Sequence, residues 1–498
     1  MGKYVLGIDQ GTTGTKAIVF DRKANIISSA YSEFTQYFPQ PGWVEHDPQE
    51  IYDVSMRVVK EALDKGGIDP KDIDSIGITN QRETTVFWNK HTGKPVCPAI
   101  VWQDIRTAER CDELIEKDGA GIVERTGMII VTNCAAPKIE WVMKNLPEVK
   151  AEIDAGNVIF GTVDSWMVWK LSGGAAHVTD YSNVSCTLLL NIHTMDYDEG
   201  ILQELGIPRS ILPEIRASSE IFAYTDPSQF FGAKVPIAGI AGDQSAAAFG
   251  QACVKPGMIK NTYGTGSFMI LNTGDTPKGA GGGCFNIGLC GPKGVQQWGI
   301  EGMANVSGAA IQWLRDGLGI INEASECEKL ANTVPDNGGV YFVPAFNGLG
   351  APYSDAYARG TIIGITRGTT KAHVCRAALE CMALQVAEAF RSMEEFTGMK
   401  ITALRADGGG AKSDFLCQFQ ADILGVPVER PKITETTCLG AAYLAGLATG
   451  FFASIDEVSE NWQVEKRFEP RLTKEQRDEL MEGWKRAVER ASNWIKKS

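Results

Sequence analysis

The strongest constraint in this sequence is a pattern that occurs twice: an extended apolar run, a tip rich in glycine and threonine, and a second extended run. In the first copy, Tyr4–Asp9 and Lys16–Phe20 read as strands rich in Val and Ile around a tight turn at Gly11–Thr15. The second copy is NTYGTGSFMILNTG, Asn261–Gly274. The same hairpin in both halves of a 498-residue chain, longer than one core usually holds, predicts two similar units. The KPG string at Lys255–Gly257 punctuates the end of the first unit, so the expected domains are 1–254 and 255–498.

Helix and strand patterns alternate between these landmarks. Spaced apolar residues predict a helix over Asp53–Asp64, and Ile73–Thr79 reads as a buried strand ending at the polar string NQRETT. Asn157–Phe160 reads as a strand leading into a helix over Val163–Leu171, and Ala238–Gly250 as strand, glycine turn and helix start. Further helices are predicted over Gly308–Leu318, His373–Phe396 and Phe415–Leu424, the last preceded by the turn LRADGGGAKSDF. Thr473 and Gln476 form a capping pattern before a terminal helix whose Leu480, Trp484, Val488, Ala491 and Ile495 share one apolar face. The expected class is α/β with a mixed-sheet core.

Composition narrows the partners. With 61 acidic against 48 basic residues the net charge is -13, which argues against nucleic acid and against an anionic membrane, so an anionic substrate needs a local site. The 54 glycines gather in short runs beside apolar segments, which points to the backbone as a binding surface. Twelve scattered cysteines without a CxxC pair, and only five histidines, read as reduced thiols with no metal cluster. No signal-peptide pattern and no run of 18 apolar residues occurs, so a soluble cytoplasmic protein without membrane insertion is expected.

Several positions carry candidate chemistry. Asp9 to Lys16 joins a carboxylate, hydroxyls, turn amides and an ammonium, a set able to bind phosphate and orient Mg2+, or simply a hairpin turn. Gly264-Thr265-Gly266 and Asp407-Gly408-Gly409-Gly410 offer two more turns that a phosphate could approach, which suits a nucleotide held between two domains. Arg82 and Glu83 follow a strand and either bind a polyhydroxy substrate or close a loop. Trp102 packs on a substrate edge or in a core. Asp243, in GDQ at a strand-to-helix transition, either accepts a proton from a substrate hydroxyl or caps a helix. His46 has no nucleophile or metal spacing around it and is read as structural.

The ordered strings GIDQGTT (Gly7–Thr13), PGWVEH (Pro41–His46), NQRETT (Asn80–Thr85), GDQ (Gly242–Gln244), YGTG (Tyr263–Gly266) and ETT (Glu435–Thr437) resemble the FGGY carbohydrate-kinase family over nearly the whole chain. Among its members, PGWVEH and NQRETT point to those that phosphorylate glycerol. The resemblance implies an actin-like, ribonuclease H-like ATPase fold of two domains with ATP and acceptor in the cleft between them. The implied reaction is transfer of the γ-phosphoryl group to a primary alcohol, giving glycerol 3-phosphate. Carried over position by position, Arg82, Glu83, Trp102, Asp243, Gln244 and Phe268 bind the polyol, and Asp243 is the general base. By the same carry-over Thr12, Thr13, Lys16, Thr265, Gly308, Gln312, Gly409 and Ser413 contact ATP, and Asp9 and Asp243 place Mg2+. The family also implies a homodimer or homotetramer.

Four departures stand out. Asn133 occupies a substrate-contact position where an aromatic residue is expected, and an amide there gives more hydrogen-bond capacity and less apolar area, pointing to room for a larger or more hydroxylated acceptor. Lys16 stands where arginine is usual and Ser413 where asparagine is usual. The short segment Phe231–Val235 lacks the regulatory loop of some relatives. The alternatives are a family member acting on another polyol, a cyclitol or a sugar such as xylulose, and a noncatalytic nucleotide-binding regulator.

Overall fold

The computed structural model describes residues 2–496 except 292–296, 351, 354 and 356. The strands of its two large sheets are numbered here in chain order. The first sheet contains β1 (Tyr4–Gln10), β2 (Gly14–Phe20), β3 (Ile26–Glu33), β4 (Ile73–Asn80), β5 (Ser219–Tyr224) and β6 (Pro236–Gly242), in the order β5-β6-β4-β1-β2-β3. The second contains β7 (Ile259–Tyr263), β8 (Ser267–Gly274), β9 (Phe285–Leu289), β10 (Gln297–Ala304), β11 (Leu404–Asp407), β12 (Val428–Pro431) and β13 (Val464–Phe468), in the order β9-β10-β8-β7-β11-β12-β13.

In each sheet the glycine-tipped hairpin is antiparallel and is continued by a third antiparallel strand. On its other side the first hairpin strand is followed by two parallel strands in succession, β4 then β6 in one half, β11 then β12 in the other. An antiparallel edge strand closes both series. The duplication inferred from two short tips therefore extends through six strands of each sheet, and the fold is the actin-like α/β architecture.

Eight of the helices are numbered likewise: α1 (Pro48–Gly66), α2 (Val163–Leu171), α3 (Asp243–Gly250), α4 (Gly308–Asp316), α5 (Lys371–Thr397), α6 (Asp414–Leu424), α7 (Thr436–Thr449) and α8 (Lys474–Ala491). Helix α1 begins before the expected Asp53 because Asp47 accepts from the amides of Gln49 and Glu50, and Pro48 occupies the first turn. The expected strand at Asn157–Phe160 forms as Val158–Gly161, but it pairs with Val86–Asn89 in a small separate sheet and not in the central one. Ile495 does not belong to the apolar face of the terminal helix: α8 ends at Ala491 and Ile495 is 40% exposed, whereas Trp484, Val488 and Ala491 are buried. The run of small and polar residues at Ser492 and Asn493 stops the helix before the pattern is complete.

Helix α7 lies in the second half of the sequence but packs on the first sheet. Gly7, Gly77 and Gly239 stand side by side across β1, β4 and β6. A Cβ on them would come within 2.6, 2.0 and 2.6 Å of Cys438, Ala441 and Ala445 of α7. Only glycine permits this approach of helix to sheet. One hydrophobic cluster joins Val5, Ile18 and Ala238 of the first sheet to Leu439, Tyr443 and Leu444 of α7.

Candidate active site

Parallel pairing brings three strand ends to one edge, with Gln10 opposite Asn80 and Asn80 opposite Gly242. Asp9, the Arg82–Glu83 loop and the Asp243–Gln244 helix start therefore emerge together, at the carboxyl ends where open α/β sheets bind ligands. A buried polar network fixes the ends: Asn80 and Asn183 exchange amide hydrogen bonds, and Ser182 Oγ accepts from the Gly242 amide. Asp180 accepts from Ser182, Asn183 and Ser218, tying the two ends to one buried carboxylate.

Arg82 is the electrostatic centre. Its Nε donates to Asp243 Oδ1 at 3.0 Å, and its two terminal nitrogens donate to Glu301 at 2.6 and 2.9 Å. Glu301 lies on β10 of the second half and is fully buried, so a bidentate ion pair crosses between the halves. Burial opposes the guanidinium charge, but Glu301 and Asp243 outweigh it and hold Arg82 well above its ordinary value. Asp243 is 32% exposed, and its Oδ1 also accepts from the Gln244 amide at 2.7 Å. Among the described residues its Oδ2 meets no donor.

Glu83 is buried and has φ of 68°, a left-handed conformation that costs a non-glycine residue energy. Burial pushes its carboxyl up, against the attraction of Arg82 and Lys138. Lys138 is fully buried and reaches back to the Asn133 carbonyl at 2.6 Å, which anchors the loop bearing Asn133.

The first hairpin tip is held by the Gly11 amide donating to the Gly14 carbonyl. Among the described residues the amides of Thr12, Thr13 and Thr265 meet no protein acceptor, an open set of donors suited to phosphate oxygens. Asp9 is raised to about 7 by burial and by Asp243, against the pull of Lys16. Lys16 donates to Glu435 Oε2 at 2.7 Å, a second ion pair between the halves. The carboxylates of Asp9 and Asp243, close enough to interact, form a hard oxygen donor set, which fits Mg2+.

In the second tip the carbonyl of Thr265 accepts from the amides of Ser307 and Ala309, and that of Gly264 from Gly308. The start of α4 is thereby clamped to the tip, and a Cβ on Gly308 would meet the Gly264 oxygen at 2.7 Å. Gln312 on α4 and Gly409 in the third turn are both exposed. Ser413 is occupied structurally, since its hydroxyl caps α6 by accepting from the Leu416 amide. On the acceptor side, Trp102 donates from its indole to Thr12 Oγ1 at 2.8 Å, joining the expected polyol wall to the expected phosphate turn. Gln244 accepts from Lys260, and Phe268 is half-buried on β8.

Sequence reasoning missed Glu301, Glu435 as an ion-pair partner, Lys138 and Lys260. Each is a charged group in an otherwise apolar or small-residue strand or helix start, a signal that was available but gave no partner. His46 is buried between Phe34 and Gln81, bonds Gln36 at 2.7 Å, and is lowered to about 4 by burial, in keeping with a structural role. PGWVEH supports the site from behind: the Arg106 guanidinium lies 3.7 Å over Trp43 and pairs with Glu45 and Asp104.

Residues 4–250 match the N-terminal domain of the FGGY family of carbohydrate kinases, and residues 259–449 match its C-terminal domain. The chain belongs to the FGGY family of carbohydrate kinases. It is 53% identical over 496 residues to glycerol kinase 2 of Thermotoga maritima, covering 99% of this chain and 100% of that one. A glycerol kinase of Oleidesulfovibrio alaskensis is 53% identical over 496 residues, with 99% of each chain covered. Among solved structures, Plasmodium falciparum glycerol kinase with ADP superposes with a TM-score of 0.91 at 35% identity over 98% of both chains. A xylulose kinase from Lactobacillus acidophilus, at 23% identity and TM-score 0.87 over 98% of this chain and 97% of that one, shares the FGGY fold. No helix among the described residues of this FGGY kinase is long and apolar enough to cross a membrane.

Proposed function

We propose that the protein transfers the γ-phosphoryl group of ATP to a primary hydroxyl of glycerol, giving glycerol 3-phosphate. The observation that carries this reading is Asp243, whose Oδ1 is held by Arg82 and Gln244 while Oδ2 stays open on a partly exposed carboxylate. Near-full-length likeness to glycerol kinases supports glycerol as acceptor.

Oδ2 of Asp243 takes the proton of the attacked hydroxyl, while Arg82 and Gln244 donate to acceptor oxygens and Glu83 accepts from a hydroxyl. Trp102 and Phe268 wall the carbon skeleton, with Asn133 at the end of the pocket. The open amides of Thr12, Thr13 and Thr265, with Lys16, receive the ATP phosphates, and Gly308, Gln312, Gly409 and Ser413 border the rest of the nucleotide. Positioning and preorganised charge supply the rate enhancement, as the chemistry of phosphoryl transfer requires. Asp9 and Asp243 would hold Mg2+, which neutralises phosphate charge when bound. Enclosure between the two domains, 1–254 and 255–498, keeps water from the transferred group. A homodimer or homotetramer is proposed for the assembly.

The test is ADP release, with product identification, across glycerol, dihydroxyacetone, tetritols, inositols and ketopentoses. Glycerol is expected to give the highest kcat/KM. Much more efficient turnover of another polyol, or ATP binding without transfer, overturns the reading. Asn133→Tyr is expected to raise the ratio of glycerol to tetritol kcat/KM; an unchanged ratio removes Asn133 from acceptor selection.

A further inference from the structure

Lys260 is a fully buried lysine on β7 of the second half, to which neither the sequence motifs nor the proposed chemistry gives a part. Its ammonium donates to Gln244 Oε1 at 2.5 Å, to Thr262 Oγ1 at 2.9 Å and to the Phe268 carbonyl at 3.2 Å. These three acceptors satisfy all the donors an ammonium has, so Lys260 has none left for a substrate. Burial, with a smaller push from Arg82, draws its pKa below the ordinary lysine value, against the carboxylates of Asp407, Glu301 and Asp243, which favour the charge. Burying a lysine is costly unless each donor is used, and here two of the three acceptors belong to residues expected in the acceptor pocket.

The chemistry of the pair sets the orientation of Gln244. An ammonium is donor only, so the amide atom that meets it is the carbonyl oxygen, and the NH2 group is left facing away. Among the described residues that NH2 meets no acceptor. Reversing the amide would set two donor groups against each other in a dry site and leave a buried charge short of a partner.

We infer that Lys260 is the positioning residue that locks the Gln244 amide with its NH2 toward the acceptor, so that the pocket offers donors there and takes a substrate oxygen by its lone pair. Together with the Phe268 carbonyl bond, this one ammonium sets a polar contact and an apolar wall of the same pocket. A hydroxyl that accepts from Gln244 keeps its own proton for a neighbouring carboxylate, which pairs Gln244 as donor with Asp243 or Glu83 as acceptor. This rests on the acceptor-pocket reading above.

A double-mutant cycle on the full-length enzyme tests it, with KM for glycerol, KM for ATP and kcat measured in Lys260→Met, Gln244→Leu and the double variant. Each single change is expected to raise KM for glycerol about 10-fold, the worth of one buried hydrogen bond. The double variant is expected to be no worse than Gln244→Leu, with KM for ATP within about 2-fold of the parent, because Lys260 acts through Gln244. Multiplied effects, near 100-fold in the double variant, or parallel changes in KM for ATP, overturn it. If Lys260→Met does not fold, Lys260→Gln and Lys260→Arg are measured in its place, and Arg, which keeps the donors, is expected to retain more acceptor affinity than Gln; the reverse order overturns the inference. Should the parent enzyme prefer a polyol other than glycerol, the same cycle is run with that polyol, so that only the identity of the acceptor fails.

Discussion

The two hairpins hold equivalent places in sheets of matching strand order, yet they carry different chemistry. The first tip is flanked by Asp9 and Lys16 and stands beside Arg82, Glu83 and Asp243, whereas the second, Tyr263–Ser267, has no charged side chain and offers a backbone. Duplicated geometry therefore does not imply duplicated chemistry: one tip stands among charged side chains, and the other offers backbone. Among the contacts that cross from the second half to the first are Glu301 to Arg82, Glu435 to Lys16 and Lys260 to Gln244. The proposed acceptor pocket thus draws its side chains mainly from the first half and their restraints from the second.

The sharpest break in this asymmetry is Asp243→Asn, which removes the proposed base and is expected to leave the fold intact. A fall in kcat of about 10²- to 10⁴-fold is expected, with unchanged circular dichroism and ATP still bound. Near-normal turnover would return Asp243 to a helix-start role.

Glu301→Gln strikes the strongest link between the halves. It leaves Arg82 buried with one carboxylate fewer, so thermal stability drops and kcat/KM for glycerol falls by about 10- to 100-fold, mainly in KM. Comparing Arg82→Gln/Glu301→Gln with each single variant checks this, because a pair acting as a unit loses less in the double variant than the sum of the singles.

Asp9 gives a pH test. Its carboxyl is raised to about 7 in the fold, so unfolded chains ionise at lower pH than folded ones and stability falls as pH rises toward that value. In protein without nucleotide or Mg2+, Asp9→Asn is expected to raise Tm at pH 8 and to change it little at pH 4, as differential scanning would read. Equal shifts at both pH values would remove the charge explanation.

The smallest effect belongs to Glu435→Gln. Lys16 and Glu435 are 33% and 40% exposed, so solvent screens the pair and its loss costs about 1 kcal/mol or less. KM for ATP is expected to change about 2- to 5-fold, since Lys16 loses its tether but keeps its charge. A larger change would assign Glu435 a direct part in nucleotide binding.

The sequence made both tips readable because a hairpin is local: strand, turn and strand lie within one window. Arg82, Glu83 and Asp243 were readable because each sits at a strand end. Glu301 was not, since its partner is 219 residues away and nothing in the run QWGIEGMA says which guanidinium it meets. Lys260 is a single lysine in the run IKNTY, and nothing in that run names the Gln244 oxygen as its acceptor. The strand at Val158–Gly161 was readable as a strand but not as a member of its small sheet, because pairing partners are chosen by tertiary contact. Ile495 kept the helical period after Ser492 and Asn493 had already ended the helix.

The three aligned glycines under α7 bear on how the chain can be divided. Leu439, Tyr443 and Leu444 cover apolar residues of β1, β2 and β6, so a fragment ending before residue 436 would present that face of its sheet to water. A cut at the junction of the two sequence halves would thus yield an aggregating first piece, and mixing it with the remainder should restore solubility before it restores catalysis. In assembly terms α7 is a tenon from the late chain seated in a mortise of the early one, and the first half completes its own core only when residues 436–449 have been made.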